Sequence, residues 1–256
     1  STSATISGGI TATTDFAAGE EAFVCSVPSG SPSGTTCVCD NFNRTTLNPS
    51  TIYGGNWSVR SSGATSFFPT IVANRLRLTS NSTNVAAAAT GPGTFPAAGN
   101  WVTVEFKHYA YNGDGADGIA FTLSDATVPA VPGAYGGSLG YAQKTLAGTG
   151  SPVVAGEGDL PGFAGGWIGL GIDEYGNYSV QAEGRIGGRT TTSNALIRDS
   201  VSVRGSGNAL TGYPYLAGTG TLSTGIDNAG STTAAYGHSY RLTVDARCYQ
   251  RNTSNT

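Results

Sequence analysis

The chain has 256 residues, a formal net charge of −3, only 11% charged residues and 39 glycines. This length suits one all-β domain with a sizeable core. Lysine occurs only at Lys107 and Lys144, which leaves no basic patch for nucleic acid, and no apolar run approaches the roughly 18 residues of a membrane-spanning helix.

Val, Ile, Thr, Tyr and Phe recur in short runs bounded by Gly, Asn, Pro and Ser, the pattern of strands and turns. No window sustains a helical apolar period for more than about two turns. Residues 1–24 are rich in Ser, Thr and Gly and read as a linker or a loosely attached strand. The sequence opens at Ser1 rather than Met, which reads as a piece of a longer protein. The folded unit is expected over residues 25–250 as a single domain, with residues 251–256 as a tail.

Cys25, Cys37, Cys39 and Cys248 form an even set. The Cys37-Val38-Cys39 spacing is too tight for a zinc knuckle, so disulfides in an oxidising compartment are expected, with the pairing left open. One bridge would close the polar loop over residues 26–36, and another would tie the first strand to the last.

In chain order, strands are expected near Gly55–Arg60, Phe67–Thr79, Trp101–Tyr111, Ile119–Ser124, Ser138–Gln143, Trp167–Asp173, Tyr178–Glu183, Asp199–Arg204 and Ser239–Arg247. Val102, Val104 and Phe106 alternate with polar neighbours, as do Leu242, Val244 and Ala246, which is how a half-buried strand reads. The Gly-rich stretches 162–166 and 217–220 read as surface loops.

Three stretches carry chemistry. In Gly115-Ala-Asp-Gly-Ile-Ala-Phe121, Asp117 directly precedes an apolar run, which puts a carboxylate at the rim of the core. In Asp173-Glu-Tyr-Gly-Asn177, a tight turn offers a carboxylate, a Tyr175 carbonyl and a carboxamide, all ligand types that suit Ca²⁺, and Glu183 could add a further carboxylate. In Gly133-Ala-Tyr-Gly-Gly-Ser-Leu-Gly140, paired glycines allow a ligand close to backbone N–H groups. Each stretch can equally be a turn whose Asp or Asn bonds its own backbone. Tyr135, Tyr175, Tyr213 and Tyr215 stand in turn-like contexts, where they serve either as edge residues or as stacking platforms for a sugar ring.

Catalytic signals are poor. His108 and His238 are the only histidines, and no Gly-x-Ser-x-Gly elbow is present. Asp173 and Glu174 are adjacent, so along a strand they face opposite ways and cannot flank a scissile bond. The chain is expected not to be an enzyme.

Taken in order, several segments resemble the L-type, legume-lectin-like carbohydrate-binding domains. They are Asp40-Asn-Phe-Asn-Arg44, Asn56-Trp-Ser-Val59, Gly115 to Leu123, Gly136-Gly-Ser-Leu-Gly-Tyr141, Gly169 to Ser179, Asp199 to Gly207 and Ser239 to Asp245. The later stretches look most like a branch found in large exported surface and pilus-associated proteins of Gram-negative bacteria. The resemblance implies a concanavalin-A-like antiparallel β-sandwich, or jelly roll. It further implies that Asp117, preceded by a cis Ala-Asp peptide, accepts hydrogen bonds from sugar hydroxyls while Gly137 donates a backbone N–H. Asn177 and Tyr175 would complete the ligand site, and Asp173, the Tyr175 carbonyl, Asn177 and Glu183 would hold Ca²⁺. Legume-type members carry Glu two residues before the metal-binding Asp, whereas this chain has Gly171, and their metal-site His has no clear counterpart. That departure speaks against a transition metal. The expected function is therefore a calcium-assisted, lectin-like adhesion module at the bacterial surface with glycans as partners. A structural or protein-binding module that keeps the fold without the sugar site is the alternative.

Overall fold

A computed structural model of the protein describes residues 5–7, 27, 29–49, 55–145, 158–190, 195–228 and 237–247. The first half contributes β1 (Thr5–Ser7), β2 (Ser58–Ser61), β3 (Thr70–Val72), β4 (Arg75–Arg77), β5 (Ala87–Thr90), β6 (Thr94–Pro96), β7 (Trp101–His108) and β8 (Ala110–Tyr111). The second half contributes β9 (Gly118–Ser124), a 3-10 turn at Gly136–Ser138, β10 (Gly166–Asp173), β11 (Ser200–Arg204), β12 (Gly207–Asn208), β13 (Thr211–Gly212), β14 (Tyr215–Gly218), β15 (Asp227–Asn228) and β16 (His238–Asp245). Among the described residues the structure is nearly all β, and the strand pairs are antiparallel except β8 with β15.

The largest sheet has four strands in the order β14-β11-β10-β9. A long ladder pairs β7 with β16 from Trp101↔Asp245 to His108↔His238. Along β16 burial alternates residue by residue, so one face turns inward as the sequence alternation demands. On that face Phe106 stacks on Tyr240 at 5.6 Å and on Phe121 of β9 at 5.8 Å. Val102 and Val244 join Leu123, Phe121, Trp167 and Ile168 in one apolar cluster, which binds the ladder to the four-stranded sheet. A second cluster forms around Phe42, Leu47, Trp57 and Ile71. It is anchored by Asp40, which is fully buried, accepts a bidentate pair from Arg44 at 2.6 and 2.8 Å and takes the Trp57 indole N–H at 2.9 Å.

Four sequence expectations are corrected. The stretch Phe67–Thr79 is a hairpin rather than one strand, because Ala73 and Asn74 both take positive φ (48° and 54°) and close a two-residue turn between β3 and β4. Ser138–Gln143 is not a strand. The amides of Tyr141 and Ala142 bond back to the Ser138 carbonyl, and Leu139 and Gly140 adopt left-handed backbone. Tyr178–Glu183 forms only a bridge between Val180 and Thr190, because a buried guanidinium, that of Arg204, takes the Tyr178 and Val180 carbonyls at 3.0 and 3.2 Å. Ala217 and Gly218 belong to β14 rather than to a loop.

The Cys37 and Cys39 sulfurs lie 3.5 Å apart, well beyond the roughly 2.05 Å of a disulfide, so these two are not joined to each other. Cys25 and Cys248 lie outside the described residues, as do the terminal segments apart from β1. No helix among the described residues is long and apolar enough to cross a membrane.

Candidate functional site

Strand register builds the site. The β9–β10 ladder pairs Gly118 with Asp173, and the β10–β11 ladder pairs Asp173 with Ser200. Asp117, Asp173 and Asp199, distant in sequence, therefore emerge at one end of the same sheet. The Ala116–Asp117 peptide is cis, as the resemblance implies. The carbonyl of Asp117 accepts the amides of Glu174 at 3.0 Å and Tyr175 at 3.2 Å, which seats the 173–177 turn directly on the 115–118 loop. Gly118 has φ of 132°, and a Cβ there would overlap the Ile172 carbonyl, so the chain can pass this point only as glycine.

The 3-10 turn supplies the third wall. A Cβ built on Gly136 would lie 3.8 Å from Asp117 Oδ2, and one built on Gly137 would overlap the Asn177 side chain. Asp117, Gly137, Tyr175 and Asn177 are thus gathered by three separate loops. Gly137 is buried, and the other three are half-buried with part of each side chain facing solvent. The guanidinium of Arg198 covers the Tyr175 ring at 4.3 Å. Of the other turn tyrosines, Tyr213 is fully buried, and its hydroxyl donates to the Phe163 carbonyl at 3.1 Å. It is a core residue and no stacking platform.

Of the residues expected to hold calcium, Asp173 and Glu183 have other partners. Asp173 is fully buried, and its Oδ1 accepts the Gly176 amide at 2.8 Å. Its Oδ2 accepts the Ser179 amide at 3.2 Å and the Ser179 hydroxyl at 3.3 Å. Glu183 pairs with Arg185 at 2.8 Å and with Lys144 at 3.5 Å. A Cβ at Gly171 would fall inside the Tyr178 ring, so an aromatic ring fills the space beside this glycine. Among the described residues no group of three or more His, Cys, Asp or Glu is placed to hold a metal ion. Both carboxylates of the expected calcium set are therefore engaged, Asp173 by amides and a hydroxyl and Glu183 by two cations.

No family model, curated protein or solved structure matches this chain.

Electrostatics at the rim follow from crowding carboxylates in a partly dry place. Asp117 is pushed above its ordinary range, first by burial and then by Glu183, with Arg185 and Lys144 pulling the other way. Burial raises Asp173 to about 6 against the hydrogen bonds it receives. Glu174 goes up to about 7, chiefly by burial and then by Asp227, Asp199, Asp117 and Asp173. A carboxyl with a raised folded pKa stabilises the fold below its unfolded value and loses that contribution as pH rises through the folded one. Glu174→Gln is therefore expected to melt higher than wild type at pH 8, by about 2 kcal/mol, with the gap closing toward pH 4.5. Thermal melts across pH check this, and parallel curves for the two proteins would refute it. His108, held down to about 4 by burial and by His238, acts in the opposite direction as pH falls from 6.5, so only the paired comparison isolates Glu174.

Three residues here escape sequence reading. They are Glu174, Ser138 and Arg185, none of which the sequence marks as a site residue. Only Arg185 left a trace, as a rare cation two residues after Glu183 in a chain with few charges.

Proposed function

We propose that this chain is a non-catalytic carbohydrate-binding module of an exported bacterial surface protein, built on a concanavalin-A-like sandwich. The observation that carries this reading is the convergence of the 115–118, 136–138 and 173–177 loops on one rim. A sugar ring presents adjacent hydroxyls that both donate and accept. The half-buried Asp117 carboxylate accepts from two of them, the Gly137 amide donates to one, and the Asn177 carboxamide does either. Charge-assisted bonds of this kind contribute about 1.5–3 kcal/mol each. Binding rather than hydrolysis is favoured because Asp173 is fully bonded inside its own turn and presents no carboxylate across from Asp117. Affinity per site is modest, and many copies on one surface give adhesion through avidity.

A multivalent glycan array tests this. Wild type is expected to give a discrete set of hits, and Asp117→Asn, which keeps the shape and removes the charge, to weaken them by about tenfold or more while melting within about 1 kcal/mol of wild type. An array with no hits at high valency would leave a structural or protein-binding module in its place.

A further inference from the structure

The rim gathers carboxylates that need a counter-charge, and the structure provides one that no sequence motif announces. Arg185 is 2% exposed. Its Nη1 donates to Glu183 Oε2 at 2.8 Å and to the Ser138 hydroxyl at 2.9 Å. Ser138 is itself fully buried, donates its hydroxyl proton to the Gln143 carbonyl at 3.0 Å and directly follows Gly137. The guanidinium thus ties the 182–185 turn to the underside of the 3-10 turn that supplies Gly137. Among the described residues, Nε and Nη2 of Arg185 meet no acceptor. A buried cation with two unsatisfied groups is costly unless its charge is needed where it stands.

We infer that Arg185 is the resident cation of the rim, a positioning residue that holds the Gly137 turn and balances the surrounding carboxylates, so that ligand binding at Asp117, Gly137 and Asn177 needs no divalent metal. The inference rests on the carbohydrate reading for its ligand. Two further observations agree with it. The positive charge of Arg185 lowers the carboxyls of both Asp117 and Asp173. The Tyr178 ring, whose hydroxyl donates to the Gly169 carbonyl at 3.2 Å, fills the space beside Gly171 and leaves no room there for an ion's ligand.

The test uses the whole chain as wild type, Arg185→Gln and Arg185→Lys, each melted and applied to a glycan array in calcium and in EGTA. Wild type is expected to melt at the same temperature and to bind equally in both buffers. Arg185→Gln is expected to lose binding by about tenfold or more, the scale of one charge-assisted hydrogen bond, while Arg185→Lys retains the charge and recovers part of it. A saturable, calcium-dependent rise in the wild-type melting temperature would overturn the inference and leave the carbohydrate reading intact. Wild-type binding by Arg185→Gln would overturn it as well. If Arg185→Gln does not fold, the wild-type calcium arm and Arg185→Lys still decide. If wild type binds no glycan in either buffer, the carbohydrate reading falls and this inference falls with it.

Discussion

Arg204→Met is expected to cost at least about 4 kcal/mol of stability, enough to unfold much of the protein at ambient temperature. Arg204 is fully buried. It donates to the carbonyls of Tyr178, Ile186 and Tyr213 at 3.0 Å, Gly187 at 3.1 Å and Val180 at 3.2 Å. Its guanidinium lies 5.3 Å from the Tyr178 ring and 5.9 Å from that of Tyr215. Burial lowers its pKa to about 10, so it stays charged at neutral pH. Four of its five acceptors lie on the 178–187 segment, which among the described residues has no partner strand beyond one bridge. Methionine matches the stem but leaves the buried Tyr178, Val180 and Tyr213 carbonyls without this donor, at about 1–3 kcal/mol each before relaxation, while Ile186 keeps the Tyr215 amide at 2.9 Å. Lysine rescues little, since one ammonium cannot span carbonyls that a planar fork reaches. Urea unfolding measures the loss, and a midpoint near that of wild type would refute this account. Because the same segment carries Glu183 and Arg185, ligand binding is expected to vanish with the fold.

The same arginine shows what the sequence conceals. Strands with strict alternation, such as Val102–Phe106 and Leu242–Val244, are legible because each side chain declares its face. β9 and β10 are legible because apolar runs end abruptly at short polar residues, and those residues, Asp117 and Asp173, mark the rim by the same logic. The Tyr178–Glu183 stretch also reads as a strand, since its residues are apolar enough for one. What makes it a loop is a residue far along the chain that satisfies its carbonyls in place of a neighbouring strand. The Ala73-Asn74 turn is hidden for a different reason. Its left-handed backbone is carried by residues other than the glycine that usually signals it. The alanine run of β5 carries no strand propensity and is ordered by its pairing with β2. Arg185 belongs to the first kind: its role depends on Ser138 and Glu183 meeting it, and pairings that distant leave no mark in local spacing.

Gly137→Ala is expected to abolish ligand binding while costing only about 1–3 kcal/mol of stability, the range for one methyl forced into a filled space. The added Cβ would overlap Cβ of Asn177 and stand 3.0 Å from its Cγ and Nδ2. Neither wall can yield easily. The glycine's turn is closed by the Leu139 amide on Gly136 at 2.8 Å, the Gly140 amide on Ala134 at 2.9 Å and the Gly133 amide on Gly140 at 2.6 Å. Asn177 sits in a turn pinned by Asp173 through the Gly176 and Ser179 amides. The methyl must therefore push the two loops apart, and the proposed donor and carboxamide separate by the width of the group inserted between them. A ligand bridging Gly137 and Asn177 would lose both contacts, a drop of more than about tenfold. A double variant separates steric from chemical effects. Adding Asn177→Gly removes the obstructing side chain, so melting should return most of the way to wild type as the clash disappears. Binding should not return, because the carboxamide is gone. Full binding by Gly137→Ala alone would mean that the ligand does not use the junction of these loops, whatever the fold beneath them.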